Sequence, residues 1–345
     1  MFPPRCDGII SADRDTVTPV TKTARRAKSA RKSRAPRKKH VPRILAGSPT
    51  ASDAKNWTTR RAKGAITLAA QSFARLPWLV HGFSTRLDTI GGKKAAPFNL
   101  GFTENETRAT VAERRGRFAA SIGAANWPLF TARQFHSDVI HIIADARVPA
   151  EPPRADALLT QVSGILLAVQ TADCAPILLV DTRHRAIAAI HAGWRGTLAR
   201  IVQKVLGKMR MTFGTRPADV LAVIGPSIGP CCYEVGPEVA QAFAGQFDAA
   251  KEWFEGPFDR LAFGEEPNPL PWLNMMPPGH QPPPPRVQLD LRAANRWQLL
   301  DAGVPRGRIV VSPLCTACHT DLLFSYRREG AAAGRLMAAI GLRAK

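Results

Sequence analysis

The sequence predicts an α+β fold, a single domain in which mixed β-sheets are flanked by helices. Short apolar runs at 165–169, 177–180 and 186–190 are bounded by Gly or by Asp-Thr-Arg and read as buried strands. Apolar residues at 198, 201, 202, 205, 206 and 209 then fall at helical spacing. Strand-like and helix-like segments alternate from there onward, which favours helices packed on sheets.

The elements follow in chain order. Residues 1–63 hold 17 Lys and Arg against 4 Asp, so most of the net charge of +21 lies in an extension. Thr23 to His40 is Arg, Lys, Ala and Ser with almost no large apolar side chain, too little to bury a core. Residues 1–62 are therefore expected to be a basic, disordered extension, able to bind nucleic acid weakly through salt-screened phosphate contacts. The composition also suits an organellar transit segment, but Asp7, Asp13, Asp15 and the length argue against one. Residues 63–345 form the expected folded domain.

Within it, Val139 to Ile143 alternates like a strand, and Ile165–Val169, Ile177–Val180 and Ala186–Ile190 are the three buried strands. A hairpin through Asp181 to Arg185 would put the start of the second beside the end of the third. Thr197–Met209 reads as a helix whose positive end faces that edge and favours an anion. Val220–Ile224 and Ile309–Val311 read as strands, and Glu238–Phe243, Leu291–Leu300 and Arg335–Ile340 as helices. Nine prolines between Gly264 and Pro285 exclude a helix or central strand over most of it, so 264–285 is expected to be an insertion within an irregular region from Lys251 to Arg286, whose Trp253, Phe254, Trp272, Met275 and Met276 either anchor the loop or contact a partner.

The chemistry is concentrated at the strand ends. Thr171-Ala172-Asp173-Cys174-Ala175-Pro176 and His191-Ala192-Gly193-Trp194-Arg195-Gly196 place a thiol and an imidazole on one sheet edge, with an acid and an arginine beside them. Thiolate and imidazole both suit zinc, but a catalytic zinc usually takes three protein ligands and keeps one open position. His136, in Gln134-Phe135-His136, is the preferred third donor; by alternation His141 lies on the opposite face. Each residue also has an ordinary reading. Asp173 serves as a cap, Arg195 as a surface ion-pair partner, Cys174 as a small buried hydrophobe, and Gly193 and Trp194 as turn residues.

The remaining cysteines suggest less. Cys315-Thr316-Ala317-Cys318-His319 matches a haem-attachment pattern, which needs an exported chain, and no apolar signal segment precedes it. A structural zinc on Cys315 and Cys318 with Cys231 or Cys232 is a further option, although adjacent Cys231 and Cys232 are not expected to ligate together; buried thiols are the simpler reading. Six cysteines in 345 residues do not make a disulfide framework, so a reducing cytoplasm is expected. No apolar run approaches a membrane span.

Together, Gln-Phe-His at 134–136, the Asp173-Cys174 and His191 motifs, Ile224-Gly225-Pro226-Ser227-Ile228-Gly229-Pro230 and Phe324-Ser325-Tyr326-Arg327-Arg328 resemble the YfiH family, also called the laccase-domain or polyphenol oxidase family. His81-Gly82-Phe83-Ser84-Thr85-Arg86 and Pro97-Phe98-Asn99-Leu100-Gly101 extend the resemblance over most of the chain. It implies a YfiH-like fold and a purine nucleoside enzyme. Its reactions would be phosphorolysis of adenosine, inosine, guanosine and S-methyl-5′-thioadenosine, and deamination of adenosine.

The same resemblance implies one zinc on His136, Cys174 and His191, catalytic roles for Asp173, Cys174 and Arg195, and substrate contacts from Arg86, Asn99 and Gln134. Purine nucleosides and phosphate are the implied partners, and the chain is expected to be a monomer or homodimer. Eight histidines without a His-X-His pair argue against copper and an oxygen-reducing oxidase. Two readings outside the class remain: a metal-free thiol hydrolase in which His191 activates Cys174, and a nucleic-acid-binding scaffold using the basic extension.

Overall fold

The computed structural model describes residues 55–90, 96–104, 106–263 and 286–344. The expected 264–285 insertion and residues 1–54 lie outside them. In chain order the strands are β1 (Trp57–Ala62), β2 (Ala65–Ala70), β3 (Leu79–Asp88), β4 (Leu129–Phe130), β5 (Ile140–Ile142), β6 (Ala157–Thr160), β7 (Leu166–Thr171) and β8 (Ala175–Asp181). They continue with β9 (Ala186–Ala192), β10 (Val220–Ile224), β11 (Glu234–Val235), β12 (Phe254–Glu255), β13 (Val287–Leu289), β14 (Ile309–Val311) and β15 (Leu336–Leu342).

Two mixed six-stranded sheets, ordered β1-β2-β3-β15-β7-β4 and β14-β10-β8-β9-β6-β5, share one apolar layer. Leu68, Phe83, Val169 and Ile340 of the first sheet pack there with Leu178, Ile187 and Val223 of the second. The outer face of the first sheet is covered by the Arg108–Ser121 helix through Phe118 and Ala119. The Ile201–Phe213, Pro237–Gln246 and Leu291–Asp301 helices cover the outer face of the second. Strands buried on both faces cannot alternate polar and apolar residues, so β8 and β9 are apolar at nearly every position.

The hairpin of β8 and β9 forms as expected, with Pro176 opposite His191. β7, the strand preceding Cys174, belongs to the other sheet. Residues 172–174 therefore cross from one sheet to the other, and the chemistry-bearing edge lies at that crossing.

Three expectations need correction. The folded body begins before residue 63, because β1 pairs with β2 over its whole length and Trp57 packs on Phe83, with ring centroids 5.2 Å apart. Its four exposed residues make an edge strand polar enough to read as part of the basic extension. Residues 335–340 are not helical: β15 is a central strand between β3 and β7, buried at all seven positions, and such a run carries no period to distinguish helix from strand.

The expected Thr197–Met209 helix is two helices, Trp194–Leu198 and Ile201–Phe213. Arg200 between them adopts φ 60, held by hydrogen bonds from its guanidinium to Gln203 Oε1 and the Gln246 carbonyl. The five-residue first helix has too few aligned peptides to supply the expected anion site by itself.

Trp57→Ala removes the Phe83 contact and the indole hydrogen bond to the Val311 carbonyl. We expect a loss of about 2 kcal/mol, below the range for fully buried tryptophans because Trp57 is only half-buried. Denaturant unfolding of this variant, and of a chain shortened to begin at Ile66, should both show the loss; an unchanged midpoint would place β1 outside the cooperative unit.

Candidate metal centre and cleft

Cys174, on the crossing, and His191, near the end of β9, meet His136 from the loop ahead of β5. The Cys174 sulfur and one ring nitrogen of each histidine all lie within 4.8 Å of one another. The two imidazoles stand edge to face, with centroids 5.0 Å apart. The preferred third donor is thus the one brought in, while His141 in β5 is exposed and outside the group.

The local backbone explains how the three converge. His136 and Asp173 both adopt positive φ, 62 and 90 respectively, a region non-glycine residues enter only when their surroundings hold them there. Gly193 leaves the space they need. A β-carbon on it would lie 2.9 Å from His136 Cδ2 and 3.0 Å from Cys174 Sγ, so a side chain there would displace two of the three donors.

The residue missed by sequence reading is Asp156, which is fully buried immediately before β6. Its carboxylate accepts hydrogen bonds from the backbone N–H groups of Phe135, His136 and Ser137 at 3.3, 3.1 and 2.7 Å, and from Ser137 Oγ at 2.6 Å. It also faces His191 Nδ1 at 2.7 Å, while its own carbonyl accepts from the His191 N–H. With Nδ1 committed to a carboxylate, Nε2 is the nitrogen His191 presents to a metal. The available signal was a charged residue in Arg154-Ala155-Asp156-Ala157 abutting an apolar strand; which strand it would neighbour depends on the sheet order.

Electrostatics follow from this packing. Burial pushes the Asp156 carboxyl up, but hydrogen bonds from His191 and Ser137 outweigh it and hold the group down at about 2. For His191, burial favours the neutral ring, yet the Cys174 and Asp156 charges together raise it to about 9. The Cys174 thiol, pushed up by burial, is brought down to about 6 by His191 and His136. Both shifts favour a thiolate beside an imidazolium, and the thiolate is the form that ligates zinc.

The site opens into a cleft of about 730 Å³. Arg133, Arg195, Arg327 and Arg335 bring four guanidinium groups to its lining, and Phe102, Trp194, Tyr233 and Tyr326 bring aromatic rings. Arg195 lies over the Trp194 ring at 4.5 Å, and among the described residues no carboxylate pairs with it. Asp173 lines the cleft with both oxygens engaged: Thr316 Oγ1 donates to one at 2.6 Å and the Arg327 N–H to the other at 2.7 Å.

The three expected substrate contacts divide. Gln134 lines the cleft, its amide bridging to the backbone of Gln170 in both directions. Asn99 is buried, accepts from the Gly101 and Arg335 N–H groups and donates to Thr103 Oγ1 at 2.9 Å, so it touches two residues of the lining, Thr103 and Arg335, without being in the lining itself. Arg86 is not in the lining; it pairs with Glu329 at 2.9 Å, donates to the Thr320 carbonyl and covers Phe324. Besides Arg195, the motifs carry Arg327 into the cleft, two residues after Ser325 in the Phe-Ser-Tyr-Arg-Arg run.

The other four described cysteines also converge. Cys231, Cys232, Cys315 and Cys318 place their sulfurs within 4.8 Å of one another. Adjacent Cys231 and Cys232, not expected to ligate together, nevertheless both reach this group, because the turn after Gly229 directs both toward Cys318, at 3.5 and 3.4 Å.

Comparison with known proteins gives the same outline. Residues 80–343 match the family model described as multi-copper polyphenol oxidoreductase laccase. The purine nucleoside phosphorylase YlmD of Geobacillus stearothermophilus is 32% identical over 82% of this chain and 96% of its own, and the adenosine deaminase RL5 from an unknown prokaryotic organism is 35% identical over 80% and 98%. Among solved structures, the Bacillus licheniformis hypothetical protein YfiH superposes with a TM-score of 0.66 at 27% identity, covering 83% of this chain and 99% of that one. The match spans residues 80–343, which include the crossing and the three donors, and this chain belongs to the laccase-domain, or YfiH, family.

Proposed function

We propose that the chain is a zinc-dependent purine nucleoside phosphorylase, acting on adenosine, inosine, guanosine and S-methyl-5′-thioadenosine, with adenosine deaminase activity. The observation that carries this reading is a His-His-Cys donor set opening into a cleft lined by four arginines and four aromatic rings. In phosphorolysis, phosphate forms a bond to ribose C1′ as the bond to the purine nitrogen breaks, giving the base and ribose 1-phosphate. In deamination, water replaces the C6 amino group and ammonia leaves.

His136, Cys174 and His191, all in the lining of the cleft, fit zinc by donor type and number and would hold it there. When bound there, zinc supplies Lewis acidity and lowers the pKa of water. The protein's own groups do the rest. Asp156 fixes the His191 ring and the His136 loop; Arg195, exposed and unopposed by a carboxylate among the described residues, is placed to hold phosphate bidentately. Trp194, Tyr233 and Tyr326 offer flat faces for a purine. Asp173, with both oxygens accepting, acts as a positioning residue for Thr316 and Arg327.

The metal-free thiol hydrolase remains the second reading, favoured by one observation: Cys174, His191 and Asp156 form a thiolate, imidazolium and carboxylate series. Among the described residues no helix is long and apolar enough to cross a membrane. Partly exposed thiols at Cys231, Cys232 and Cys318 suit a reducing cytoplasm.

Incubating purified protein with adenosine, with and without phosphate, and resolving adenine, inosine and hypoxanthine tests the proposal. We expect adenine only with phosphate and inosine in both. Cys174→Ala and His191→Ala should each lose the zinc of this three-ligand site and both activities with the fold kept, because such a site rarely survives the loss of one ligand. Full activity in chelator-treated, zinc-free protein would favour the thiol hydrolase instead.

Arg195→Met keeps much of the stem and removes the bidentate donor. Phosphorolysis should fall at least tenfold, equivalent to about 1.4 kcal/mol, and deamination less. Equal losses in the two assays would put Arg195 on the nucleoside or the scaffold.

A further inference from the structure

We propose that Cys231, Cys232, Cys315 and Cys318 form a second metal site, a four-thiolate centre that binds one zinc and fastens one wall of the cleft. A tetrahedral zinc with Zn–S bonds of about 2.3 Å sets its sulfurs about 3.8 Å apart. Here all four lie within 4.8 Å, and the two Cys318 pairs measure 3.5 and 3.4 Å, so a metal at their centre needs only small side-chain adjustments.

The topology delivers the ligands. β10 and β14 are parallel neighbours, so the loops leaving them emerge at one end of the sheet and run side by side, bridged between Ser227 and Cys315. One loop carries the Cys-Cys pair on a turn closed by the Cys232 and Tyr233 N–H groups donating to the Gly229 carbonyl; the other carries Cys-X-X-Cys, with the Cys318 N–H donating to the Cys315 carbonyl. Both are short turns, which is how structural zinc sites present thiolates.

The surroundings suit negative sulfur. The Gly229 N–H donates to Cys315 Sγ at 3.2 Å and the Arg328 guanidinium to Cys232 Sγ at 3.6 Å. Four protein donors leave no open position, so this centre is structural.

Its effect is local. The Ile228 N–H donates to the Asp173 carbonyl, Thr316 Oγ1 to the Asp173 carboxylate, and Arg328 Nε to the Ala317 carbonyl, so each joined loop also holds a lining residue of the cleft. Binding a metal there fixes Asp173 and Ile228 against each other.

The proposal is independent of the nucleoside reading, and its test is metal content. Full-length protein, purified reduced and without oxygen, then dialysed with zinc, should carry two zinc ions per chain by mass spectrometry. Cys231→Ser/Cys318→Ser should carry one, and Cys174→Ala should retain one. Should the double variant fail to fold, cobalt in Cys174→Ala decides: a thiolate-to-cobalt charge-transfer band supports the site, since Cys174 is gone. One zinc in the wild type that disappears with Cys174→Ala overturns it. So does a disulfide among the four cysteines in the anaerobic protein.

Discussion

The carboxylate of Asp156 accepts five hydrogen bonds in a position closed to water, and the candidate metal centre is assembled around it. Three bonds hold the backbone of residues 135–137, one holds Ser137 Oγ, and the fifth fixes the ring of His191. A buried charge with this many donors persists as a charge, and removing one side of such a network leaves the others without a partner. Two imidazoles far apart in sequence, one on a loop and one in β9, are thereby brought within 4.8 Å of Cys174 and of each other. Gly193 completes the arrangement by leaving room between them.

That constraint explains why the site lies where the two sheets exchange chain. β7 ends in one sheet and β8 begins in the other, so the intervening residues must turn sharply, and Asp173 takes a left-handed conformation there. The bonds that hold it come from Ile228, Thr316 and Arg327, which belong to the loops after β10 and β14 and to the Phe-Ser-Tyr-Arg-Arg run. Motifs separated by more than 150 residues in sequence thus meet at one crossing. The cleft arginines surround it, and a site of this charge attracts anionic substrates before it binds them.

Much of this was legible in the sequence because it is local. The β8 and β9 hairpin follows from two apolar runs and a short polar turn, and the hairpin alone puts Cys174 near His191. His136 was chosen over His141 by strand alternation, which is also local. What escaped depends on non-local packing. Asp156 touches His191 only because β6 lies beside β9, a neighbour relation no periodicity encodes. β15 was mistaken for a helix because a strand covered on both faces has no polar side. The break at Arg200 depends on the Gln246 carbonyl of a distant helix, and Arg86 was drawn toward the cleft by its motif although Glu329 holds it elsewhere. The family's multi-copper name does not decide the metal; the thiolate and two imidazoles fit zinc by number and type.

Zinc affinity of Asp156→Asn tests the organising role of this carboxylate most directly. The amide matches the carboxylate in size but carries no charge and one acceptor oxygen in place of two, so either the Oδ1 partners, the His136 N–H and His191, or the Oδ2 partners, the Phe135 and Ser137 N–H groups and Ser137 Oγ, lose their acceptor. Competition with a chromophoric chelator should show affinity at the His136, Cys174 and His191 site weakened about 10- to 100-fold, with the far-ultraviolet circular dichroism unchanged. Wild-type affinity in that variant would contradict the account, since the three ligands would then converge without the charge held here to assemble them.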